Sequence, residues 1–447
     1  MLSANPRTGV GERVVAGLSA LVLLAALLIG GSRENALQLA LVELLSLPLL
    51  GVALWRLLSR PLTAPLRAAL ILLLAIAAIP LLQLIALPPA VWSNLPGRDE
   101  LAQSMRLGGG VVAWPLSLTP QTTAANALAL LPPFALFLGV SQLQPARQLQ
   151  LARLIVLVAV ASVVLGIFQT LGPAAEFPPY RSANRGLPIG FFANRNHQAD
   201  FLLCAIPFAA AWSAALGQRD GPGRLLPLGS LILIMTGVAG TLSRSGVLLL
   251  APTLVVSLIV LSGSARLLRN RSVLVAAACA GVAASLIGYF TFAAIEARFD
   301  LAASPEFRAE AWPLIADLVG ATFPFGTGLG SFDVVYRAAE PLQMVRDWYF
   351  NNAHNDYLEL TLETGIIFPI LFAAFLAWFG WVGARAWRSS GPAAALARAA
   401  SVVVGVVLLH SIVDYPLRTL ALACVFAVAC GVLVGAGRTS STPARTA

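Results

Sequence analysis

The chain has 447 residues, of which 58% are hydrophobic and 11% are charged, and its mean hydropathy is +0.83. A soluble domain has roughly 25% charged residues, so this composition excludes an ordinary soluble protein and predicts an integral membrane protein. All 29 basic residues are arginine and the formal net charge is +9, yet the arginines are scattered between apolar runs. They form no basic stripe with interleaved aromatic residues, so the charge does not indicate nucleic-acid binding.

A membrane-spanning helix needs about 20 largely apolar residues. Twelve such runs follow one another, near residues 14–30, 36–55, 68–87, 124–142, 152–171, 198–216, 225–242, 246–264, 272–293, 364–384, 399–413 and 417–436. We therefore predict an all-α integral membrane protein with about 12 transmembrane helices, which form one polytopic domain over residues 1–447. One long polar loop, residues 294–363, separates the ninth helix from the tenth.

The arginines indicate the orientation, because the cytoplasmic loops of membrane proteins are enriched in basic residues. With the amino terminus inside, the cytoplasmic segments contain 17 arginines, whereas the outer segments without the long loop contain 8. Both termini are therefore predicted to be cytoplasmic, and the long loop to face outwards. Two other outer segments, near 88–123 and 172–197, are also longer than tight turns, so a shared site can form on this side.

The long loop contains the strongest candidate for a catalytic residue. It has 11 of the 20 acidic residues, and His354 lies near its end among several Asn and Asp side chains. If a helix begins near Asn352 or Asn355, either Asn can cap it, and Asp356 complements the helix dipole. An imidazole in this setting titrates near neutrality, as a general base must. The alternative is a histidine that only caps the helix or packs at the interface.

Two further groups of charged residues lie near this histidine in sequence or at the same predicted membrane face. On the helix that follows His354, an acidic stripe would be formed by Asp356, Glu359 and Glu363, because residues three and four apart share a helix face. The short turn between the last two spans contains Asp414 and Arg418. We predict that these two residues pair across the turn in a structural role.

Two arginines are candidates for binding an anion at the outer face. Arg244 is the only charged residue in the apolar stretch 225–264, and Arg195 lies at the mouth of the sixth span. A guanidinium at the membrane surface is costly unless it is paired or binds an anion, and its planar fork matches phosphate oxygens. The alternative is an interfacial arginine whose side chain reaches lipid headgroups.

A glycine-rich stretch of the long loop, residues 324–332 (Pro-Phe-Gly-Thr-Gly-Leu-Gly-Ser-Phe), has the spacing of some phosphate-binding turns. It does not follow a strand in a βαβ unit, so a dinucleotide-binding fold is excluded. We predict instead a turn that lets the loop backbone lie close to the membrane scaffold.

These segments together resemble the O-antigen ligase and polymerase superfamily of bacterial envelope proteins. The resemblance covers roughly residues 190–420. It is carried, in chain order, by 191–197 (FFANRNH), 242–246 (LSRSG), Arg308 with Trp312, 324–332 (PFGTGLGSF), 353–359 (AHNDYLE) with 363–365 (ETG), and 410–416 (HSIVDYP). It implies a metal-independent glycosyltransferase of the GT-C type, without a cofactor, in the bacterial inner membrane. Direct displacement with a base near the acceptor hydroxyl favours inversion.

The resemblance also implies the substrates and the roles of the residues. The donor would be a glycan linked to undecaprenyl pyrophosphate, the acceptor would be lipid A core or a growing polysaccharide, and membrane lipids would surround the helices. The implied site residues are His354 as base or acceptor-orienting residue, Arg195 and Arg244 for the pyrophosphate, and Arg308, Asn355 and Asp356 in support.

Three functions are compatible with these residues. O-antigen ligases and O-antigen or exopolysaccharide polymerases share the motifs, so the resemblance implies a ligase-like enzyme with a polymerase as the alternative. An alternative of another class is a small-anion transporter in which the arginines line the route. Transporters usually have internal repeats and midplane binding residues, whereas this sequence shows no repeat and its candidate residues cluster at one face.

Overall fold

The computed structural model describes residues 6–32, 35–59, 61–170, 187–216, 223, 225–262, 305–345, 350–391 and 393–435. These residues are almost entirely helical, which confirms the all-α prediction. Within the described ranges the only sheet is a pair of two-residue antiparallel strands, β1 (Ala86–Leu87) and β2 (Trp114–Pro115).

The described residues up to Ser262 form eleven α-helices. They are α1 (Pro6–Ile29), α2 (Ala36–Leu58), α3 (Ala64–Gln83), α4 (Pro89–Trp92), α5 (Asp99–Leu107), α6 (Pro120–Ala129), α7 (Leu131–Val140), α8 (Pro145–Thr170), α9 (Arg195–Ala215), α10 (Leu225–Gly240) and α11 (Arg244–Ser262). The second half contains α12 (Pro305–Thr322), α13 (Phe332–Ala339), α14 (Asp356–Thr364), α15 (Ile367–Arg388), α16 (Ala394–His410), a 3-10 helix (Pro416–Arg418) and α17 (Leu420–Gly435).

Within the described ranges, seven helical stretches are long and apolar enough to cross a membrane. They are Val10–Ile29, Ala36–Leu58, Ala64–Gln83, Pro120–Val140, Pro145–Thr170, Arg195–Ala215 and Ile367–Arg388. Four shorter apolar helices, Leu225–Gly240, Arg244–Val260, Ala394–His410 and Leu420–Gly435, complete the set. These eleven stretches coincide with eleven of the twelve predicted runs. The ninth run, 272–293, lies outside the described residues, so the total of twelve spans stays a prediction.

Helix α9 is the centre of the bundle. It packs against α8, α10, α11 and α16, and its side chains are buried along almost its whole length. The amino-terminal end of α9 is polar although it is buried, because it carries His197, Gln198 and Asp200. Buried polar side chains are stable only when they find polar partners. This end of α9 is therefore where several other elements bring polar groups together.

The long loop is folded rather than extended over its described residues. Helices α12, α13 and α14 enclose a small apolar cluster of their own, formed by Phe307, Ala311, Ile315, Phe332, Tyr336, Phe350, Ala353 and Leu362. Such a cluster fixes the three helices relative to one another by burying apolar surface. It also fixes the position of the backbone that leads into His354. That the loop is periplasmic stays a prediction.

The glycine-rich turn lies directly against the membrane scaffold, as predicted. Gly326 and Gly328 have φ of +74° and +105°, in a region that side chains rarely allow. A Cβ on Gly326 would lie 2.6 Å from the Gly365 nitrogen, and one on Gly328 would lie 2.2 Å from Ser117 Oγ. The buried Arg98 holds the same turn by donating hydrogen bonds of 2.8 Å to the carbonyls of Leu116 and Gly326.

Candidate active site

His354 lies immediately before helix α14 rather than on it. Asn355 is the N-cap residue, because its side-chain oxygen accepts hydrogen bonds from the amides of Tyr357 (3.0 Å) and Leu358 (3.1 Å). Asn355 rather than Asn352 therefore caps the helix. His354 itself has φ of +50°, a left-handed conformation that is uncommon for a residue with a side chain. This turn directs the chain so that the imidazole is presented apart from the helix.

The imidazole of His354 is held by a buried carboxylate from the last turn of the bundle. Its Nδ1 lies 3.1 Å from Asp414 Oδ1, and the two side chains are 17% and 1% exposed. The ring packs between Phe350 and Tyr415, with ring centroids 5.3 and 4.8 Å away. An ionised carboxylate beside Nδ1 accepts a hydrogen bond from the protonated nitrogen, which leaves Nε2 with the free lone pair. An Asp–His pair of this kind orients a general base.

The surroundings keep the two members of the pair in the protonation states that a base requires. Burial lowers the pKa of His354, and the charge of Arg308 lowers it further, which together outweigh the opposing effect of Asp414. Burial by itself raises the pKa of Asp414, but the His354 hydrogen bond and the nearby positive charge of Arg308 help to hold it well below its usual range. At neutral pH, Asp414 is therefore ionised and His354 is a neutral imidazole.

Helix α12 fixes both backbone segments that carry this pair. Arg308 donates a hydrogen bond of 2.8 Å to the carbonyl of Val413, next to Asp414. Trp312, one turn along the same helix, donates a bond of 2.8 Å to the carbonyl of Ala353, next to His354. Arg308 also brings a positive charge close to His354, and its supporting role in a reaction stays a prediction.

The structure brings Arg195 to the turn that carries Arg244. These residues are the first of α9 and α11, and Arg195 Nη1 donates a hydrogen bond of 3.2 Å to the Leu242 carbonyl. The two helix starts approach closely, since a Cβ on Gly246 would lie 2.7 Å from the Ala199 Cβ. A helix amino terminus favours negative charge. That Arg195 and Arg244 bind a pyrophosphate here stays a prediction.

Residues 410–418, between the last two helices, contact both His354 and the turn that carries Arg244. This turn, residues 242–246, is called the arginine turn below. His410 Nε2 lies 2.8 Å from Ser245 Oγ, beside Arg244. Four residues later, Asp414 holds His354. The ring of the next residue, Tyr415, contacts the rings of both His354 and His197, with centroids 4.8 Å apart in both cases. All three histidines of the chain therefore converge on this segment, although the sequence predicts a role only for His354.

The predicted pairing of Asp414 with Arg418 is wrong. Arg418 instead contacts the acidic stripe of α14: its Nη2 lies 2.6 Å from Glu363 Oε2 and 3.5 Å from Glu359 Oε1, and its Nε lies 3.8 Å from Asp356 Oδ1. The physical reason is Pro416, which begins a 3-10 helix at Pro416–Arg418 and removes the helical i, i+4 geometry that the pairing needs. The stripe itself is present, on a helix that His354 precedes.

Asp356 has an anchoring position behind the Asp–His pair. Its Oδ2 accepts hydrogen bonds from Ser411 Oγ (2.8 Å) and from the Leu417 amide (3.3 Å). Burial raises the pKa of Asp356 to about 7, with Glu359 adding to the increase and Arg418 opposing it. This carboxyl group therefore joins α14 to the 410–418 segment and does not contact the imidazole.

The described residues contain no group of three or more His, Cys, Asp or Glu side chains arranged to hold a metal ion. The carboxylates of α14 are engaged by Arg418, and that of Asp414 is engaged by His354. A reaction at this site that uses no metal stays a prediction.

The fold and the site together define a membrane-embedded, all-helical protein with a buried Asp–His pair and two arginines at one end of its bundle. Residues 229–373 match the family model described as O-antigen ligase, and the resemblance to the O-antigen ligase superfamily is thereby confirmed. The matched region contains Arg244, Arg308 and His354, whereas Arg195 and Asp414 lie outside it. No protein among curated sequences matches the chain.

Proposed function

We propose that the protein is a membrane glycosyltransferase that moves a glycan from undecaprenyl pyrophosphate to an acceptor hydroxyl. The reaction would take place at the periplasmic face of the bacterial inner membrane, with both termini in the cytoplasm. The observation that carries this proposal is the buried contact of 3.1 Å between His354 and Asp414, with His354 in a region that matches the O-antigen ligase family.

In this reaction, Nε2 of His354 accepts the proton of the acceptor hydroxyl while the hydroxyl oxygen attacks the anomeric carbon of the donor. The bond from that carbon to the pyrophosphate oxygen breaks, and the electron pair leaves with the pyrophosphate. A single displacement of this kind inverts the anomeric centre. Asp414 stabilises the imidazolium that forms, because its ionised carboxylate accepts a hydrogen bond from Nδ1.

The arginine turn would stabilise the leaving group. The pyrophosphate gains negative charge as the glycosidic bond breaks, and fixed positive groups near it lower the barrier more than they lower the energy of the ground state. Arg195 and Arg244 begin two helices, so their guanidinium groups and the helix termini carry the same sign of charge. In this proposal they supply the charge that a metal ion supplies in other phosphate sites.

The same arrangement serves a ligase and a polymerase, because the two reactions differ in the acceptor and share the donor. We favour a ligase whose acceptor is lipid A core, with a polymerase that extends the growing polysaccharide as the alternative. Deletion of the gene separates them on a gel of lipopolysaccharide and exopolysaccharide. Uncapped lipid A core with accumulated lipid-linked polymer indicates a ligase, and single-repeat products indicate a polymerase.

The central experiment is the substitution His354→Ala in purified protein supplied with a lipid-linked donor. We expect glycan transfer to be lost while the protein accumulates normally in the membrane. His354 precedes the Asn355 cap and is not part of helix α14, so its removal should leave this helix intact. The matched control is Gln343→Ala, an exposed position on the same loop, which should transfer at the parent rate. A transfer rate of His354→Ala close to that of the parent would show that His354 has a purely structural role.

A further inference from the structure

A second carboxylate–histidine contact lies deeper in the bundle, and the mechanism above does not use it. His410, the last residue of α16, is 1% exposed. Its Nδ1 lies 3.0 Å from Asp200 Oδ1 on α9, and its Nε2 lies 2.8 Å from Ser245 Oγ on α11. One imidazole thus touches three helices, and both of its ring nitrogens have a polar neighbour.

The order of these groups fixes what the imidazole can do. A carboxylate beside Nδ1 favours the proton on that nitrogen, and Nε2 shares a hydrogen bond with the Ser245 hydroxyl whose donor depends on the protonation of the ring. The same order of residues activates a serine in hydrolases. In the proposed glycan transfer, however, the acceptor hydroxyl attacks the donor directly, so the reaction needs no serine nucleophile. The contact therefore serves to hold Ser245 rather than to activate it.

Ser245 belongs to the turn that presents Arg244. This turn is already under local constraint, because Leu242 has φ of +53° and the Gly246 amide donates a hydrogen bond of 3.2 Å to Ser243 Oγ. Arg195 holds the turn from the α9 side through the Leu242 carbonyl. The hydroxyl of Ser245 is the point at which α16 holds it.

We propose that His410, oriented by Asp200, is a positioning residue that places Arg244 for the donor pyrophosphate through its contact with Ser245. This inference rests on the proposed function, because it assigns His410 to the donor half of that reaction. The acceptor half is held separately by Asp414. A change at His410 should therefore affect the donor and leave the acceptor unaffected.

Two substitutions at His410 separate its two contacts. The amide of Gln occupies roughly the place of Nε2, so His410→Gln keeps a partner for Ser245 and loses the contact with Asp200. The amide of Asn lies near the place of Nδ1, so His410→Asn keeps a polar group beside Asp200 and loses the contact with Ser245. Both variants retain a polar group of similar size, and their thermal unfolding in detergent should be alike. Ser245→Ala removes the same contact from the other side, together with the contact of 3.2 Å between Ser245 Oγ and Ser243 Oγ.

The measurement is the initial rate of purified protein with donor varied at saturating acceptor, and then the reverse. A lost neutral hydrogen bond corresponds to about a 2- to 13-fold weaker interaction, so we expect the donor KM to rise by that factor in His410→Asn and in Ser245→Ala. The acceptor KM should stay within twofold. The variant His410→Gln should recover most of the donor affinity that His410→Asn loses. The donor KM of the double variant, His410→Asn with Ser245→Ala, should be no higher than that of the worse single variant, because both changes remove the same contact between His410 and Ser245.

Several results would overturn the inference. Equal increases in the donor and acceptor KM, additive effects in the double variant, or a donor KM in His410→Asn equal to that of the parent would each show that His410 does not act through Ser245. Equilibrium binding of undecaprenyl pyrophosphate without a glycan keeps this test separate from the proposed function. If the parent does not bind that lipid, the proposed function itself fails. If the parent and His410→Asn bind it equally tightly, only the role of His410 fails.

Discussion

The substitution Asp414→Asn tests the Asp–His pair most directly. It replaces the carboxylate 3.1 Å from His354 Nδ1 with an amide of nearly the same shape. A hydrogen bond to a charged group contributes about 1.5–3 kcal/mol, and Asp414 is only 1% exposed, so solvent does not screen it. If that energy acts in the transition state, kcat should fall by about 10- to 150-fold.

The substitution should also shift the pH profile of kcat in a definite direction. His354 is active as a base when it is neutral, so the rate should fall as the pH drops through its pKa. Burial and Arg308 lower that pKa, while Asp414 raises it through a hydrogen bond and its charge. Removing the charge of Asp414 therefore lowers the pKa of His354 further, and the acidic limb of the kcat profile should move to lower pH.

The assay uses purified protein with both substrates saturating, over a pH series. The matched control is Asp333→Asn, which removes a carboxylate from the partly exposed pair with Arg337 on the same loop and should leave the rate unchanged. A kcat for Asp414→Asn within twofold of the parent, with the acidic limb in its original place, would refute the role of Asp414 as the residue that orients the base.

The other predictions concern the donor arginines, the buried charge cluster and the topology. Arg195→Lys and Arg244→Lys keep the charge but lose the planar fork, so each should reduce the transfer rate by about one to two decades; added Mg²⁺ or chelator should change nothing, and loss of activity in EDTA that Mg²⁺ restores would contradict the mechanism. Arg418→Met leaves three buried carboxylates unpaired and should cost about 3–5 kcal/mol of stability, so an unchanged thermal unfolding temperature in detergent would show that these groups are solvated. A cysteine in place of Gln343 should react with an impermeant thiol reagent in spheroplasts, and one in place of Ser390 should not; the reverse labelling would invert the topology.

The helices could be predicted from the sequence because the signals that define them are local. An apolar run near 198–216 indicates a span whichever helices pack around it, and α9 begins and ends within a few residues of that run. The cap at Asn355 and the close backbone approach at Gly326 were also predictable, since each depends on the chemistry of one short segment. The contacts of the polar amino end of α9 could not be predicted, because its partners lie on distant segments of the chain.

The partners of the charged residues could not be predicted, because they come from distant parts of the chain. Asp414 and Arg418 are four residues apart, which suggests a helical pair, yet each contacts a residue at least 55 positions away. Local spacing decides a pairing only where the backbone is a regular helix. A proline within the turn indicates that it is not, and this was the one signal in the sequence against the pairing.

The 410–418 segment contacts both halves of the proposed site. It holds the arginine turn through His410 (2.8 Å) and the proposed base through Asp414 (3.1 Å). An in-line displacement requires the base, the acceptor oxygen and the leaving group to keep a fixed geometry, and an error of about 1 Å can cost a hundredfold in rate. Because both contacts originate from five consecutive residues, 410–414, a shift of α16 moves the two halves of the site together. The distance between base and leaving group is then set by a short, doubly anchored turn rather than by the packing of the whole bundle.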